Sequence, residues 1–147
     1  MYRRIVVGTD GSPSSLEAVR QAAELARATG AELVVVSAVR ESTELLVLPE
    51  MAAAMPLATM EESLESHAKE VVAKAVVVAE TVGVTPGSRV ARGEASDVLC
   101  HVAGEVGADL LVVGNRGMTG AKRFVLGSVP NRCAHHAPCS VLIVHTT

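Results

Sequence analysis

Residues 114 to 128 read GNRGMTGAKRFVLGS, a stretch whose glycines and cations resemble those of loops that hold phosphate groups. Gly114, Gly117 and Gly127 allow tight turns and bring backbone N–H groups close to an anion. Ser128 can cap a helix, and Pro130 in its first turn supports that start, where free amides and the dipole favour a phosphate. Arg116, Lys122 and Arg123 can add positive charge. The stretch is not the P-loop pattern GxxxxGK[ST], because Lys122 follows Ala121 and precedes Arg123. Far upstream, Gly8, Thr9 and Asp10 end the first apolar run. Asp10 can accept a ribose hydroxyl bond, or bind a Mg²⁺ held mainly by nucleotide phosphates. The plainer readings are a glycine-rich connector with solvated cations for the loop, and an ordinary turn residue before Gly11 for Asp10.

The elements around these residues decide whether they meet. RRIVVGTD is a buried strand that stops at glycine, and Ser12-Pro13 then supplies an N-cap and a proline at the first helical position. Leu16, Val19, Ala23 and Ala26 recur at helical spacing until Gly30. ELVVVSAV, residues 32 to 39, is a continuous apolar run suited to a strand covered on both faces. Leu64, Ala68, Val71, Ala75, Val78 and Val82 mark a long helix ending at Gly83. SRVAR, residues 88 to 92, is a short strand. Val98, Leu99, Val102, Ala103 and Val106 form a helix closed by Gly107, and DLLVVG, residues 109 to 114, is the strand that feeds the loop. Ser128, Val129 and Pro130 open the last helix, and CSVLIVH is the final strand. GAELVVV and GADLLVVG echo one another, each passing from a helix-ending glycine through an acid into a strand.

This β-α-β-α-β-α-β-α-β order implies an α/β fold in a single domain over residues 1–147. It is a five-stranded doubly wound parallel sheet with helices on both faces. Order 3-2-1-4-5 is the natural one for this length, with 2-1-3-4-5 the other doubly wound choice. Ligands of such sheets sit beyond the carboxyl ends of strands where the order reverses. In order 3-2-1-4-5 that point lies between strands 1 and 4, which brings Asp10 beside the glycine loop.

Composition narrows the ligand. The chain is 49% hydrophobic and 20% charged with net charge −3, so it is an ordered globular protein, and broad contact with nucleic acid is disfavoured. Tyr2 and Phe124 are the only aromatics, which leaves little for unpaired bases or a flavin ring to stack on. The first apolar run falls short of a secretion signal, and no run reaches the length of a membrane span. The cysteines, Cys100, Cys133 and Cys139, are odd in number with no CxxC, as expected of reduced thiols in a cytoplasmic protein. Cys133, His135, His136 and Cys139 match no common zinc spacing, and on a helix the two histidines point about 100° apart. Their expected role is structural. Cys100 is expected in the core and His101 on the surface. Residues 45 to 57, apolar but broken by proline, are candidates for a mobile lid, a partner surface or a loop folded over the core.

The spacing Gly-x2-Gly-x9-Gly-Ser resembles the nucleotide-binding signature of the universal stress protein family. IVVGTDGS, GADLLVVGNRG and LGSVPNRCAHHAPCSVLIV resemble it too, in its order. The resemblance implies the 3-2-1-4-5 fold, a homodimer, and an adenine nucleotide, usually ATP, lying across strands 1 and 4. Carried over by position, Asp10 contacts the ribose or a metal, with Gly8 and Thr9 beside it. Ala38, where many relatives carry a bulkier aliphatic residue, and Val113 flank the adenine. Gly114, Gly117, Gly127, Ser128 and Val129 hold ribose and phosphates, with Arg116 inside the loop. Family dimers pair through the last strand, here residues 140 to 145, with Ser140 at its start and His145 at its end.

The implied function is a stress-response binding module whose nucleotide state is read by a protein partner. The alternatives are a slow nucleotide hydrolase, an adenylyl-transferring enzyme or a cyclic-nucleotide binder. GTDGSPSS lacks the glycine pair expected of an adenylyl-transferring relative, and no obvious base stands ready for water.

Overall fold

The computed structural model describes residues 1–41, 56–116 and 126–146. Gly117, Lys122, Arg123 and nearly all of the proline-broken segment considered as a lid lie outside the described residues. In chain order the elements are β1 (Arg4–Gly8), α1 (Pro13–Thr29), β2 (Glu32–Val39), α2 (Leu57–Thr81), β3 (Gly87–Arg92), α3 (Ala95–Glu105), β4 (Leu110–Gly114), α4 (Ser128–His136) and β5 (Ser140–Val144). They form one sheet in the order β3-β2-β1-β4-β5, every neighbouring pair parallel. The order 2-1-3-4-5 is thereby set aside, and the reversal falls between β1 and β4.

Local chemistry explains the boundaries. The Ser12 hydroxyl accepts the Ser15 N–H at 3.2 Å, and Pro13 opens α1 at no cost because a first-turn amide has no helical acceptor. Gly30 ends α1 in the left-handed region at φ 73°, and its N–H closes on the Ala26 carbonyl. Strand ends shift by a residue or two, and two helix starts differ from expectation. α2 begins at Leu57, earlier than the apolar stepping that starts at Leu64, because backbone bonds from Thr59 and Met60 to the Pro56 carbonyl (3.0 and 3.1 Å) carry a mostly exposed first turn. Ser128 is the first residue of α4 and not its cap. The cap position belongs to Gly127, which has no side chain to offer.

Alternate strand residues feed two cores. Ile5, Val7, Leu33, Val35, Leu110 and Val112 face α1 and α2, meeting Val19 and a run of small residues, Ala18, Ala22, Ala23, Ala26, Ala75 and Ala79. The alanines let both helices lie close to the sheet. On the other face Val6, Val36, Leu111 and Val113 meet Val98, Leu99, Val102 and Ala103 of α3 and Cys133 of α4. Each buried valine or leucine contributes about 1.5–3 kcal/mol relative to exposure.

The amino end of the sheet is closed by charge. Asp109 accepts the amides of Arg3 (2.8 Å) and Arg4 (3.2 Å), while Arg4 reaches the Val106 carbonyl at 2.8 Å and Glu32 at 3.1 Å. The amide of Arg3, joined by that of Arg4, holds the Asp109 carboxyl below the ordinary aspartate range against a desolvation cost.

Candidate functional site

The turn leaving β1 is set by hydroxyls. The Thr9 N–H donates to the Val36 carbonyl at 2.9 Å, which anchors the strand end to β2. Ser15 Oγ gives its single proton to the Ser12 carbonyl (3.0 Å) and accepts the Asp10 N–H (3.3 Å). The Thr9 hydroxyl, 3.0 Å away, must therefore donate to Ser15 Oγ, and its lone pair accepts the Gly11 N–H at 3.2 Å. Asp10 Oδ1 takes the Ser12 N–H at 2.9 Å, an Asx turn leading straight into α1. Thr9, Ser12 and Ser15 are buried, whereas Asp10 is half-buried. The carboxylate is thus held in one orientation at the rim of the turn.

The chain leaving β4 comes back to where it left. The Asn115 N–H donates to the Val144 carbonyl of β5 (3.0 Å), and the Asn115 carbonyl accepts the Gly127 N–H (3.1 Å). Gly127 in turn accepts the Asn131 N–H at 3.1 Å, the first helical bond of α4. Pro130 has no amide proton, so Ser128 and Val129 carry the N–H groups of this start that have no acceptor within the helix. Beside Asn115, the Nε of Arg116 is buried and has no hydrogen-bond partner among the described residues.

The two glycines that close the strands admit helices. A Cβ on Gly8 would stand 2.6 Å from Leu99 Cδ1 of α3, and one on Gly114 would stand 2.8 Å from Ser14 Oγ and 3.1 Å from the Ser14 carbonyl of α1. These glycines let α3 and α1 close over the ends of β1 and β4. Gly127 has an ordinary φ of −59°, but a Cβ there would press on the Asn115 carbonyl at 3.3 Å.

Parallel pairing of Val7 with Val112 puts Gly8, Thr9 and Asp10 beside Val113, Gly114, Asn115 and Arg116, on strands about 4.8 Å apart. Ala38, Val113 and Val129 all pack on the α3 side of the sheet, Val113 buried and the other two partly so. Ala38 pairs with Ala91, next to a cleft of about 540 Å³ lined by Ala91, Arg92, Glu94, Asp97, Val98 and His101 among others. Burial pushes the Glu94 carboxyl up. Bonds from Ser96 and Asp97 and the Arg132 guanidinium outweigh it, leaving the group below its ordinary range. Among the expected site positions, Gly8, Thr9 and Asp10 thus lie beside Val113, Gly114 and Arg116, Gly127 bonds Asn115 and leads into Ser128 and Val129, and Ala38 stands on the neighbouring strand β2.

Burial pushes the Cys133 thiol up to about 12, which keeps it protonated within the second core. Cys100 packs against the same core half-buried, and His101 is exposed, bonded to Glu105 at 2.9 Å. His135 and His136 close α4, their rings 6.4 Å apart. Among the described residues no group of three or more His, Cys, Asp and Glu is placed to hold a metal ion. The sequence reading missed Ser14, Ser15, Asn115 and Thr146. The Asp-x-Ser-x-x-Ser run from Asp10 carried a signal for Ser15, as a turn overlapping a cap. No local signal marks Thr146.

A parallel sheet wound in both directions from a central reversal, with a carboxylate and an uncapped helix start gathered there, defines a Rossmann-like α/β protein. Residues 1–145 match the universal stress protein family, and the chain belongs to that family. It is 38% identical to universal stress protein Rv1636 of Mycobacterium tuberculosis over 154 aligned positions, covering 99% of this chain and 98% of the relative. Among solved structures it is similar to a universal stress protein in complex with cAMP, at 34% identity and TM-score 0.72, covering 99% of this chain and 98% of the other. It is also similar to the universal stress protein from Archaeoglobus fulgidus in complex with dAMP, at 25% identity and TM-score 0.71, covering 97% of each.

Proposed function

We propose that the protein is a stress-response module that binds an adenine nucleotide at the β1–β4 reversal, with ATP the leading candidate. The observation that carries the proposal is the uncapped start of α4 beside Arg116. Two amides there have no helical acceptor, and a cationic side chain has a buried Nε without a partner among the described residues. The buried Nε is costly to leave unmatched, the helix-start amides favour an anion, and a phosphate serves both at once. Ser128, Val129, Gly127 and Arg116 take the phosphates, with Gly117 completing the signature. Asp10, fixed by its Asx turn with Gly8 and Thr9 beneath it, takes the ribose. Ala38 and Val113 bound the base.

A Mg²⁺ fits only as a passenger of the phosphates. Asp10 is a single carboxylate at the rim of the turn, which suits a supporting contact to an ion held mainly by polyphosphate. The cAMP complex of a relative at 34% identity supports a second reading, in which the preferred ligand is a cyclic nucleotide. Calorimetric titration with ATP, AMP and cAMP separates the two. Micromolar affinity for at least one is expected, and no heat with any of them contradicts the proposal. Phosphate release from ATP should stay below about one per second, as befits a holder of nucleotide and not an efficient hydrolase.

The remaining assignments follow the same reading: one domain over residues 1–147, cytoplasmic, acting as a homodimer read by a protein partner. Among the described residues no helix is long and apolar enough to cross a membrane. β5 is an edge of the sheet, rich in Val, Leu and Ile, and exposes Leu142 at 38%. The opposite edge, β3, carries Arg89 and Arg92, charges that discourage strand addition. The dimer therefore forms through β5. Leu142→Lys should give a monomer by sedimentation, and an unchanged dimer places the interface elsewhere.

A further inference from the structure

Three residues that the nucleotide reading does not use meet in one knot above the ends of β4 and β5. Asn115 follows β4, Thr146 follows β5, and Ser14 lies in the first turn of α1. Asn115 Oδ1 accepts both the Thr146 N–H (3.2 Å) and the Thr146 hydroxyl (2.8 Å). That amide oxygen can only accept, so the one hydroxyl proton of Thr146 goes to it. The contact between Thr146 Oγ1 and Ser14 Oγ, at 2.9 Å, is then supplied with a proton by Ser14. All three residues are half-buried, where such bonds are shielded from water.

The knot bears on α4 through the backbone of Asn115. Its N–H is held by Val144 and its carbonyl by Gly127, the residue that caps α4. With the side chain held by Thr146, both peptide units that flank Asn115 are restrained, one through its N–H on Val144 and the other through its carbonyl on Gly127. The Gly127 amide, and with it the amides of Ser128 and Val129, is set in place by a bond chain that starts beyond β5. We infer that Thr146 and Asn115 are positioning residues for the phosphate-binding start of α4, a strut from the carboxyl side of β5. Misplacing such donors by a fraction of a bond length weakens an anion contact without unfolding anything. The ligand part of this inference rests on the nucleotide-binding reading. The strut itself does not.

Thr146→Val keeps the shape and deletes the hydroxyl, and Thr146→Ser restores it. ATP, AMP and cAMP are titrated into the full chain and both variants, while amide hydrogen exchange at Gly127 is followed in the nucleotide-free proteins. Expected results are a five- to twentyfold loss of affinity in Thr146→Val and Gly127 exchange at least tenfold faster. Thr146→Ser should lie within twofold of the parent in both, with a melting temperature little changed throughout. Asn115→Ala should act in the same direction and more strongly. If the parent binds nucleotide and Thr146→Val binds equally well, the positioning role is overturned. If the parent binds none of the three but Gly127 loosens and serine restores it, the nucleotide reading falls and the strut stands. If Gly127 exchange is unmoved, the strut falls whatever the ligand.

Discussion

The two ends of this sheet are built from similar materials to opposite purposes. At the amino end, Asp109 is matched by the amides of Arg3 and Arg4, and Arg4 is matched by Glu32 and the Val106 carbonyl. Charge there is consumed within the chain. At the carboxyl end, hydroxyls and an amide side chain lock the turns, but among the described residues no bond reaches the buried Arg116 Nε, and α4 itself offers no acceptor to the amides of Ser128 and Val129. A fastening and a cradle are told apart by where their donors go. A fastening satisfies its own donors, while a cradle spends its bonds on holding donors still and leaves them for something else.

Substitutions at each end should break that contrast in different measurements. The largest effect is expected for Gly127→Val, whose Cβ would crowd the Asn115 carbonyl at the mouth of the loop. Nucleotide affinity should fall more than about 100-fold, roughly 2.7 kcal/mol, with far-ultraviolet dichroism unchanged. Unchanged titration curves would remove Gly127 from the site. Gly114→Ala tests a packing role at the same end. Its methyl would meet Ser14 Oγ and the Ser14 backbone, so urea unfolding should show a loss of about 1–3 kcal/mol, whether or not nucleotide is present. A stability loss confined to the nucleotide-bound form would instead support the ligand contact that the family resemblance implies for Gly114.

Arg116→Gln should weaken a polyphosphate ligand about tenfold, with a smaller salt dependence than the parent. Equal salt slopes would show that the guanidinium faces no anion. Asp109→Asn, at the other end, should leave titrations untouched. The folded carboxyl lies below its unfolded value, so its stabilisation is present above about pH 4 and is lost as pH falls through the folded pKa. The variant should therefore show a flatter fall in melting temperature between pH 5 and pH 3. A parallel fall in both proteins would deny Asp109 that role.

Much of the fold was legible because each strand is an apolar run and the helix ends carry glycine, as Gly30, Gly83 and Gly107 do, all at positive φ. Strand order was narrowed by handedness but not decided, since both doubly wound orders obey the same local patterns. At the site, the ends of β1 and β4, with Asp10 and Asn115 just beyond them, could be set side by side because topology alone brings strand ends together. Ser128 was assigned the cap when the cap is Gly127, since a polar residue next to glycine at a helix start fits either position. Asn115 and Thr146 stayed hidden for a different reason. Their bonds span 31 residues, and the bond to Ser14 spans 132, and no periodic pattern encodes a contact of that range.

Whether the helix start and Arg116 at the β1–β4 reversal serve an adenine nucleotide is decided by denaturing freshly purified protein and identifying the released small molecule by mass spectrometry, with titration of the emptied, refolded protein alongside. ATP, AMP or a cyclic adenine nucleotide is expected in the supernatant, or micromolar rebinding of one of them. A flavin in its place, or an empty protein that rebinds no adenine nucleotide, would contradict the nucleotide reading.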